Sequence, residues 1–584
     1  MAIAEKTVSP KKGASFLIER HGADDILIPE AFSDEMKMMG QTAAQFVERE
    51  IKPVFEELEA LDYDLSVKAM RKAGEMGLLA VDVPEAYEGL DADKAASMYV
   101  TEKMAESGSF NVTFSAHTGI GTLPLVYFGT PEQQAKYLPK LASGEWVAAY
   151  CLSEPGSGSD SLGAKTKAVL NEAGTHYVLN GTKMWISNAG FADFFTIFAK
   201  IDGEHFTAFL VERDTPGLSF GAEEKKMGIK GSSTRQVILE NARVPKENLL
   251  GEAGRGHIIA FQILNIGRLK LAAGAIGGCK AMIEYASTYA QEREQFGLPI
   301  AKFGLIKEKV GKMTADTYAL ESAIYRMSGD LDENLAGKES QADKLSAIDE
   351  YVVEYSFIKV LGSEILGDTI DQTLQIYGGN GFSAEYPIEL AYRNARINRI
   401  FEGTNEINRL LTSGQLLKRA MKGKIDLMSA AQGAIQGEPL TELNAPNELK
   451  DAYLAVENMK KAVLLVAGAS AMAYMQDIEK EQEVMARAAD MIAAVYLSES
   501  ALLRAERLIG SAKGDKAARL AKLYTFDALD RAKTYGTEAL RRVPNGSAML
   551  GKLSAYFAEH GVDLIELRRE IAKDAYEVSG YPLA

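Results

Sequence analysis

Apolar residues recur at helical spacing over most of this chain, and one interval breaks the rhythm. Residues 32–60, 67–80, 94–108 and 130–144 repeat apolar positions three and four apart, which predicts helices. Ser33 is placed to cap the first, with Glu35 in its first turn. Pro84 and Gly89 interrupt the pattern between the second and third. After Trp146 the period shortens. VAAYCLSE, THYVLNGTKMWISN, FFTIFAKID, HFTAFLVERD and RQVILENARVP are β-branched and aromatic runs bounded by Gly, Asp and Asn, the pattern of strands. From Gly254 the helical period returns in long segments joined by short turns, as in a four-helix-type bundle. Residues 424–450, with two Gly-containing turns and two prolines, read as a linker, and a helical pattern resumes beyond them.

The predicted fold class is α+β and mostly α. It divides into a polar leader (1–29), an N-terminal helical domain (30–146), a middle antiparallel β domain (147–253), a helical bundle (254–424), a linker (425–446) and an additional all-α C-terminal domain (447–584). A chain of 584 residues is too long for a single core.

Composition narrows the function classes. A net charge of −16 argues against a nucleic-acid binder and a polybasic membrane anchor. Two cysteines, Cys151 and Cys279, exclude a disulfide scaffold and a cysteine zinc site, and six scattered histidines lack metal-ligand spacing, so no metal is expected. The first twenty residues contain no apolar h-region, and no run of about 18 apolar residues is visible, so the expected address is the cytoplasm.

Candidate chemistry concentrates in three places. In RINRIFEGTNEINR (396–409), Glu402 sits between Ile400-Phe401 and Gly403-Thr404. A carboxylate held against apolar neighbours has a raised pKa and can serve as a base near neutral pH, although most such glutamates are simply exposed between helices. In YCLSEPGSGSD (150–160), Pro155, Gly156 and Gly158 force a tight loop whose serines and amides suit an anionic or carbonyl-rich ligand. In KMWISN (183–188), Trp185 is one of two tryptophans; an indole can cover a flat aromatic cofactor, and on a regular strand Ser187 points the same way. Gly119 and Gly121, within an apolar run, can line a deep pocket or permit close helix packing. Residues 379–384 fit G-x-G-x-x-A, but they follow a helical pattern, and Pro387 argues against an opening helix, so a dinucleotide fold is rejected.

These motifs, with REQFG (293–297), QIYGGNG (375–381) and FEGTNE (401–406), resemble in order those of the acyl-CoA dehydrogenase family. The likeness covers roughly residues 30–420, and the extra helical domain makes it nearest the very-long-chain branch. The resemblance implies FAD bound by Tyr150, Leu152, Ser153, Gly158, Ser159, Trp185, Ser187, Thr404 and Glu406, with the Ser187 hydroxyl near the flavin N5. It further implies that Arg293, Phe296, Gln375, Gly378 and Gly379 reach the FAD of a neighbouring subunit, hence a homo-oligomer, a dimer or dimer of dimers. Substrate contacts are implied for Ser159, Asn265, Arg268, Phe401 and Gly403, and the catalytic base would be Glu402. The implied reaction is α,β-dehydrogenation of an acyl-CoA, long-chain in the sense of that branch, to the trans-2-enoyl-CoA of fatty acid β-oxidation, with electrons passed to electron transfer flavoprotein.

Two positions depart from the family pattern. Ser187 stands where many relatives have Thr, which keeps the hydroxyl. Phe401 stands where medium-chain members have Tyr, and the long-chain branch shares the Phe. The extra domain is rich in acids and bases, which favours helices packed on one another and leaves membrane contact at most peripheral. The alternatives are an acyl-CoA oxidase, which the local motifs disfavour, and a non-catalytic acyl-CoA-binding flavoprotein, which would have no need of Glu402.

Overall fold

The structure, a computed structural model, describes residues 11–557 and 559–584. The N-terminal layer contains α1 (Asp34–Phe46), α2 (Tyr63–Glu75), α3 (Lys94–Lys103), α4 (Phe110–Ala116) and α5 (Pro131–Ala142). Ser33 Oγ accepts from the Met36 N–H, and a Thr130/Gln133 capping box opens α5. A π-helical turn, His117–Gly121, follows α4. The first ten residues of the expected leader lie outside the described residues. The rest of it is not a polar tail: Phe16, Leu17, Ile26 and Ile28 are buried in the main core. Those short apolar runs carry no periodicity, so only the tertiary structure reveals their burial.

The middle domain is an eight-stranded sheet: β1 (Ala148–Cys151), β2 (Lys167–Leu170), β3 (His176–Ser187), β4 (Phe194–Ile201), β5 (His205–Glu212), β6 (Leu218–Glu223), β7 (Thr234–Pro245) and β8 (Leu249–Leu250). The order is β6-β7-β3-β2-β4-β5-β8, with β1 beside β4. Most pairings are antiparallel, but β1–β4 and β2–β4 are parallel, so the sheet departs from the expected uniform pattern. The run Phe194–Ala199 is buried throughout because β4 is covered on both faces. Phe194 and Phe198 join the helical core, while Phe195 and Ile197 join the sheet's own cluster.

The bundle is built on α6 (Gly256–Glu292), flanked by α7 (Gly304–Leu335) and α8 (Val352–Tyr377), with α9 (Asn405–Met421) against α8. Contrary to the sequence expectation, α6 is long and apolar enough by composition to cross a bilayer, with mean hydropathy 1.3 over its most apolar window. Its apolar residues instead form the centre of the bundle. Gly379–Ala384 follows α8 rather than a strand, as expected, but Pro387 begins the helix Pro387–Ala395. Proline is favoured at a first helical position, where its missing N–H is not needed.

The C-terminal domain comprises α10 (Lys450–Tyr474), α11 (Gln482–Leu508), α12 (Gly514–Arg542) and α13 (Leu564–Glu577). The segment read as a linker contains a helix, Leu427–Gln436, whose Leu427, Ala431 and Ala434 are buried and which packs on α10. Its glycines disguise it in the sequence. Buried ion pairs join this domain to the rest. Arg504 on α11 binds Glu321 on α7 at 2.6 Å and Glu30 at 2.8 Å, and the Tyr581 hydroxyl donates to Glu321 at 2.7 Å.

Candidate active site

The chain enters α9 through two residues in the left-handed region, Glu402 (φ 57°) and Gly403 (φ 82°). That conformation is uncommon for a non-glycine residue and persists only where its surroundings over-determine it. Here they do. Arg268 Nε donates to the Glu402 carbonyl at 3.2 Å. The Gly403 carbonyl accepts from Lys359 Nζ at 2.7 Å and Asn408 Nδ2 at 2.8 Å. Lys359 also reaches Asn405 Oδ1 at 2.8 Å, and Asn405 donates to Glu364 at 3.0 Å. Arg409 closes the network with both amino groups on Glu364 at 2.8 Å and Nε on Asp490 of α11 at 2.7 Å. Thr404 Oγ1 caps α9 through Ile407, and Glu406 is exposed on its first turn.

The Glu402 carboxylate is left without such support. Its Oε2 is buried with no hydrogen-bond partner among the described residues, and the helix backbone comes close beneath it: a Cβ on Gly267 would lie 3.0 Å from Oε2. Burial pushes the carboxyl up to about 7, against the pull of Arg268 and Lys359. Burial likewise lowers Lys359 to about 8 and Arg268 to about 10, both partly offset by Glu402.

This carboxylate faces a cavity of about 470 Å³ that Ser187 and Phe401 also line. One wall is a single face of α6 from Gly267 through Lys270, Gly274 and Gly278 to Tyr285, and α4 with its π-turn, including Gly119, forms the opposite wall. At about 1.5 Å per residue this face of α6 is roughly 27 Å long.

Above the cavity, Tyr150 on β1 is buried with its ring edge-on to Phe198 and its hydroxyl unpaired among the described residues. Leu152 and Ser153 follow half-buried, and Gly158 and Ser159 are exposed on the loop. A Cβ on Gly156 or Gly158 would meet nothing within 4 Å. A clamp absent from the sequence reading fixes the loop. Glu154 accepts from the backbone N–H of Lys165 at 2.6 Å and pairs at 2.8 Å with Lys183, which is fully buried at the start of the tryptophan motif. Burial opposes ionisation of Glu154, but Lys183 holds its carboxyl below the usual range. Both residues lie within the quoted motifs; nothing local in them signals that they meet.

Trp185 and Ser187 do not share a regular strand face. The β3–β7 register shifts between Lys183 and Ile186, and Trp185 adopts φ 62° in that bulge. The indole therefore stands 56% exposed beside the loop, where the Met184 N–H donates to the Ser153 carbonyl at 2.9 Å, while Ser187 turns to the cavity.

The remaining candidates separate into two places. Asn265 and Arg268 are buried behind the base, joined by a 2.9 Å hydrogen bond, and outside the cavity lining. Arg293, Phe296, Gln375, Gly378 and Gly379 are exposed at the other end of α6, with Phe296 94% exposed on a short hairpin. Stacking of Tyr289 on Tyr377, with ring centroids 4.0 Å apart, brings their segments together. They lie roughly 37 Å along α6 from Gly267, at about 1.5 Å per residue, beyond the Glu402 cavity of the same chain.

Helical, sheet and bundle domains arranged around a desolvated carboxylate define a class, and comparison with known proteins names it. Family models described as acyl-CoA dehydrogenase N-terminal, middle and C-terminal domains match residues 33–145, 149–242 and 254–417, and a further acyl-CoA dehydrogenase C-terminal domain matches 458–555. The chain belongs to the acyl-CoA dehydrogenase family. It is 46% identical to a probable acyl-CoA dehydrogenase of Bacillus subtilis, over 99% of this chain and 100% of that protein. It is 34% identical to the human mitochondrial very long-chain specific acyl-CoA dehydrogenase, over 88% of this chain and 81% of that protein. Among solved structures, an acyl-CoA dehydrogenase complexed with FAD from Bacillus anthracis superposes with a TM-score of 0.95 at 47% identity, covering 98% of this chain and all of that one.

Proposed function

We propose that this protein is an FAD-dependent dehydrogenase of long-chain acyl-CoA thioesters, forming trans-2-enoyl-CoA. The single observation that carries the reading is the unpartnered Glu402 carboxylate, raised to about 7 at one end of the cavity. Ionised near neutral pH, it is placed to act as general base toward an α-proton, a contribution of about 10²–10⁴-fold to rate that enolate stabilisation must complement.

The residues fit a flavin nucleotide. The orphaned Tyr150 hydroxyl, the open space over Gly156 and Gly158, and the exposed indole of Trp185 surround one face of the β domain. Tyr150, Leu152, Ser153, Gly158, Ser159, Trp185, Ser187, Thr404 and Glu406 would hold it. When bound, FAD supplies the acceptor for the β-hydrogen. Arg268 and Lys359 hold the base segment and keep Glu402 from rising further. The Glu402 backbone N–H has no partner among the described residues and can donate to a thioester oxygen as enolate charge develops.

The length of the cavity supports a long acyl chain. Carbon–carbon bonds of about 1.52 Å at about 111° advance roughly 1.25 Å per carbon, so the roughly 27 Å face of α6 accommodates about twenty carbons. The second cluster, Arg293, Phe296, Gln375, Gly378 and Gly379, lies too far from Glu402 to serve the same active site. It supports a homodimer, or dimer of dimers, in which each chain completes its partner's cofactor site. Electron transfer flavoprotein is the proposed acceptor of the electrons, within fatty acid β-oxidation.

The test is anaerobic titration of the purified flavoprotein with acyl-CoAs from short to very long. Bleaching of the flavin that is fastest for long chains, and abolished in Glu402→Gln with flavin retained, is the expected result. A protein that cannot be loaded with FAD, or that no acyl-CoA bleaches, overturns the reading.

A further inference from the structure

The wall of the cavity carries a charge that a fatty acyl tunnel does not require. Lys270 lies on the cavity face of α6, one turn beyond Gly267, with its side chain 5% exposed. Its ammonium is drawn away from the space by Asp82 at 2.7 Å. Asp82 is buried and already satisfied, by Lys94 Nζ at 2.6 Å and Ser97 Oγ at 2.6 Å. A second lysine is therefore unnecessary for pairing that carboxylate.

The anchored ammonium fixes the course of the methylene stem. A Cβ on Gly119, in the π-turn of the opposite wall, would stand 3.6 Å from Lys270 Cδ, in ordinary van der Waals contact. Lysine commonly lays its stem along apolar surface while its charged head is satisfied elsewhere. Here the stem crosses from α6 to the π-turn and forms part of the wall. The three residues from Gly267 to Lys270 advance about 4.5 Å along the helix. At roughly 1.25 Å per carbon this is between three and four carbons beyond the α-carbon that Glu402 serves, near the fifth or sixth acyl carbon.

We propose that Lys270 is a specificity-determining residue whose stem, held by Asp82 against Gly119, narrows the cavity near that carbon and excludes a methyl branch there. The proposal rests on the acyl-CoA reading of the site and adds which acyl chains the site rejects. A single methylene in a close pocket discriminates by about 10–200-fold.

The test compares kcat/KM of the holoenzyme for hexadecanoyl-CoA and for its 5-methyl and 6-methyl analogues, in the wild type, Lys270→Ala and Lys270→Met. The expected wild type strongly prefers the straight chain. Lys270→Ala, which leaves Asp82 with Lys94 and Ser97, raises the branched-to-straight ratio by about tenfold or more. Lys270→Met keeps most of the stem but loses its anchor on Asp82, and raises the ratio by less than Lys270→Ala does. Should Lys270→Ala not fold, Gly119→Ala carries the test: its methyl against the stem lowers kcat/KM for hexadecanoyl-CoA more than for butyryl-CoA, whose chain ends before this point. A wild type that accepts the branched chains equally, an unchanged ratio in folded Lys270→Ala, an equal gain in Lys270→Met, or a uniform effect of Gly119→Ala overturns the proposal. Absence of turnover with the straight chain refutes the acyl-CoA reading instead, so the two failures are distinguishable.

Discussion

Replacing Gly267 with alanine sets the central helix against the carboxylate it underlies. The new Cβ would stand 3.0 Å from Glu402 Oε2, 3.3 Å from its Cδ and 3.4 Å from Ile120 Cγ2. The carboxylate must retreat by a few tenths of an ångström. A misplacement of about 1 Å costs on the order of 10²-fold in rate, so this smaller retreat lowers kcat by roughly three- to tenfold. The helix itself benefits, because alanine is favoured over glycine in a helix interior by about 1 kcal/mol. Activity and stability therefore move apart: kcat falls while Tm holds or rises. The methyl also displaces any water near the carboxyl, so the apparent pKa of kcat/KM moves above about 7. Steady-state kinetics with an artificial electron acceptor across pH, alongside a thermal melt, measure all three. Wild-type kcat with an unmoved pH profile would refute the close approach of helix and base. A loss of rate accompanied by a lower Tm would assign the effect to general misfolding.

Other consequences follow from the same network. In the wild type, kcat/KM rises as pH increases through about 7, as Glu402 loses its proton, and a profile flat from pH 5 to 9 counts against Glu402 as base. Because this carboxyl is raised from 4.5 on folding, its contribution to stability has the opposite sense: it is greatest below 4.5 and is lost as pH rises through about 7. Lys359→Met removes a cation that lowers the Glu402 pKa and a donor to the Gly403 carbonyl. Its pH profile shifts to higher pH with reduced kcat, and an unshifted profile is evidence against this electrostatic coupling. Arg504→Met leaves Glu30 without its buried partner, while Glu321 keeps Lys280 and Tyr581, so the cost lies toward the lower end of about 3–5 kcal/mol; urea denaturation that matches the wild type contradicts the proposed weld between the C-terminal domain and the bundle.

The sequence by itself determined the succession of domains, because helical and strand periods are local properties of the chain. It also singled out Glu402, the YCLSEPGSGSD loop and the tryptophan motif, whose residue types carry their chemistry in short spans. It misread features in which local pattern and final environment diverge. The apolar pieces of the leader are too short for periodicity but become core, and glycines hide the helix Leu427–Gln436. The alternation rule placed Trp185 and Ser187 on one face until a bulge turned them apart. Only tertiary structure decided the contacts that span distant segments: Glu154 with Lys183, Asp82 with Lys270, and Gly267 beneath Glu402. A carboxylate's identity is written in the chain, but its pKa depends on what packs around it. That packing comes from α6 and α8, distant in the chain, and no local spacing encodes it.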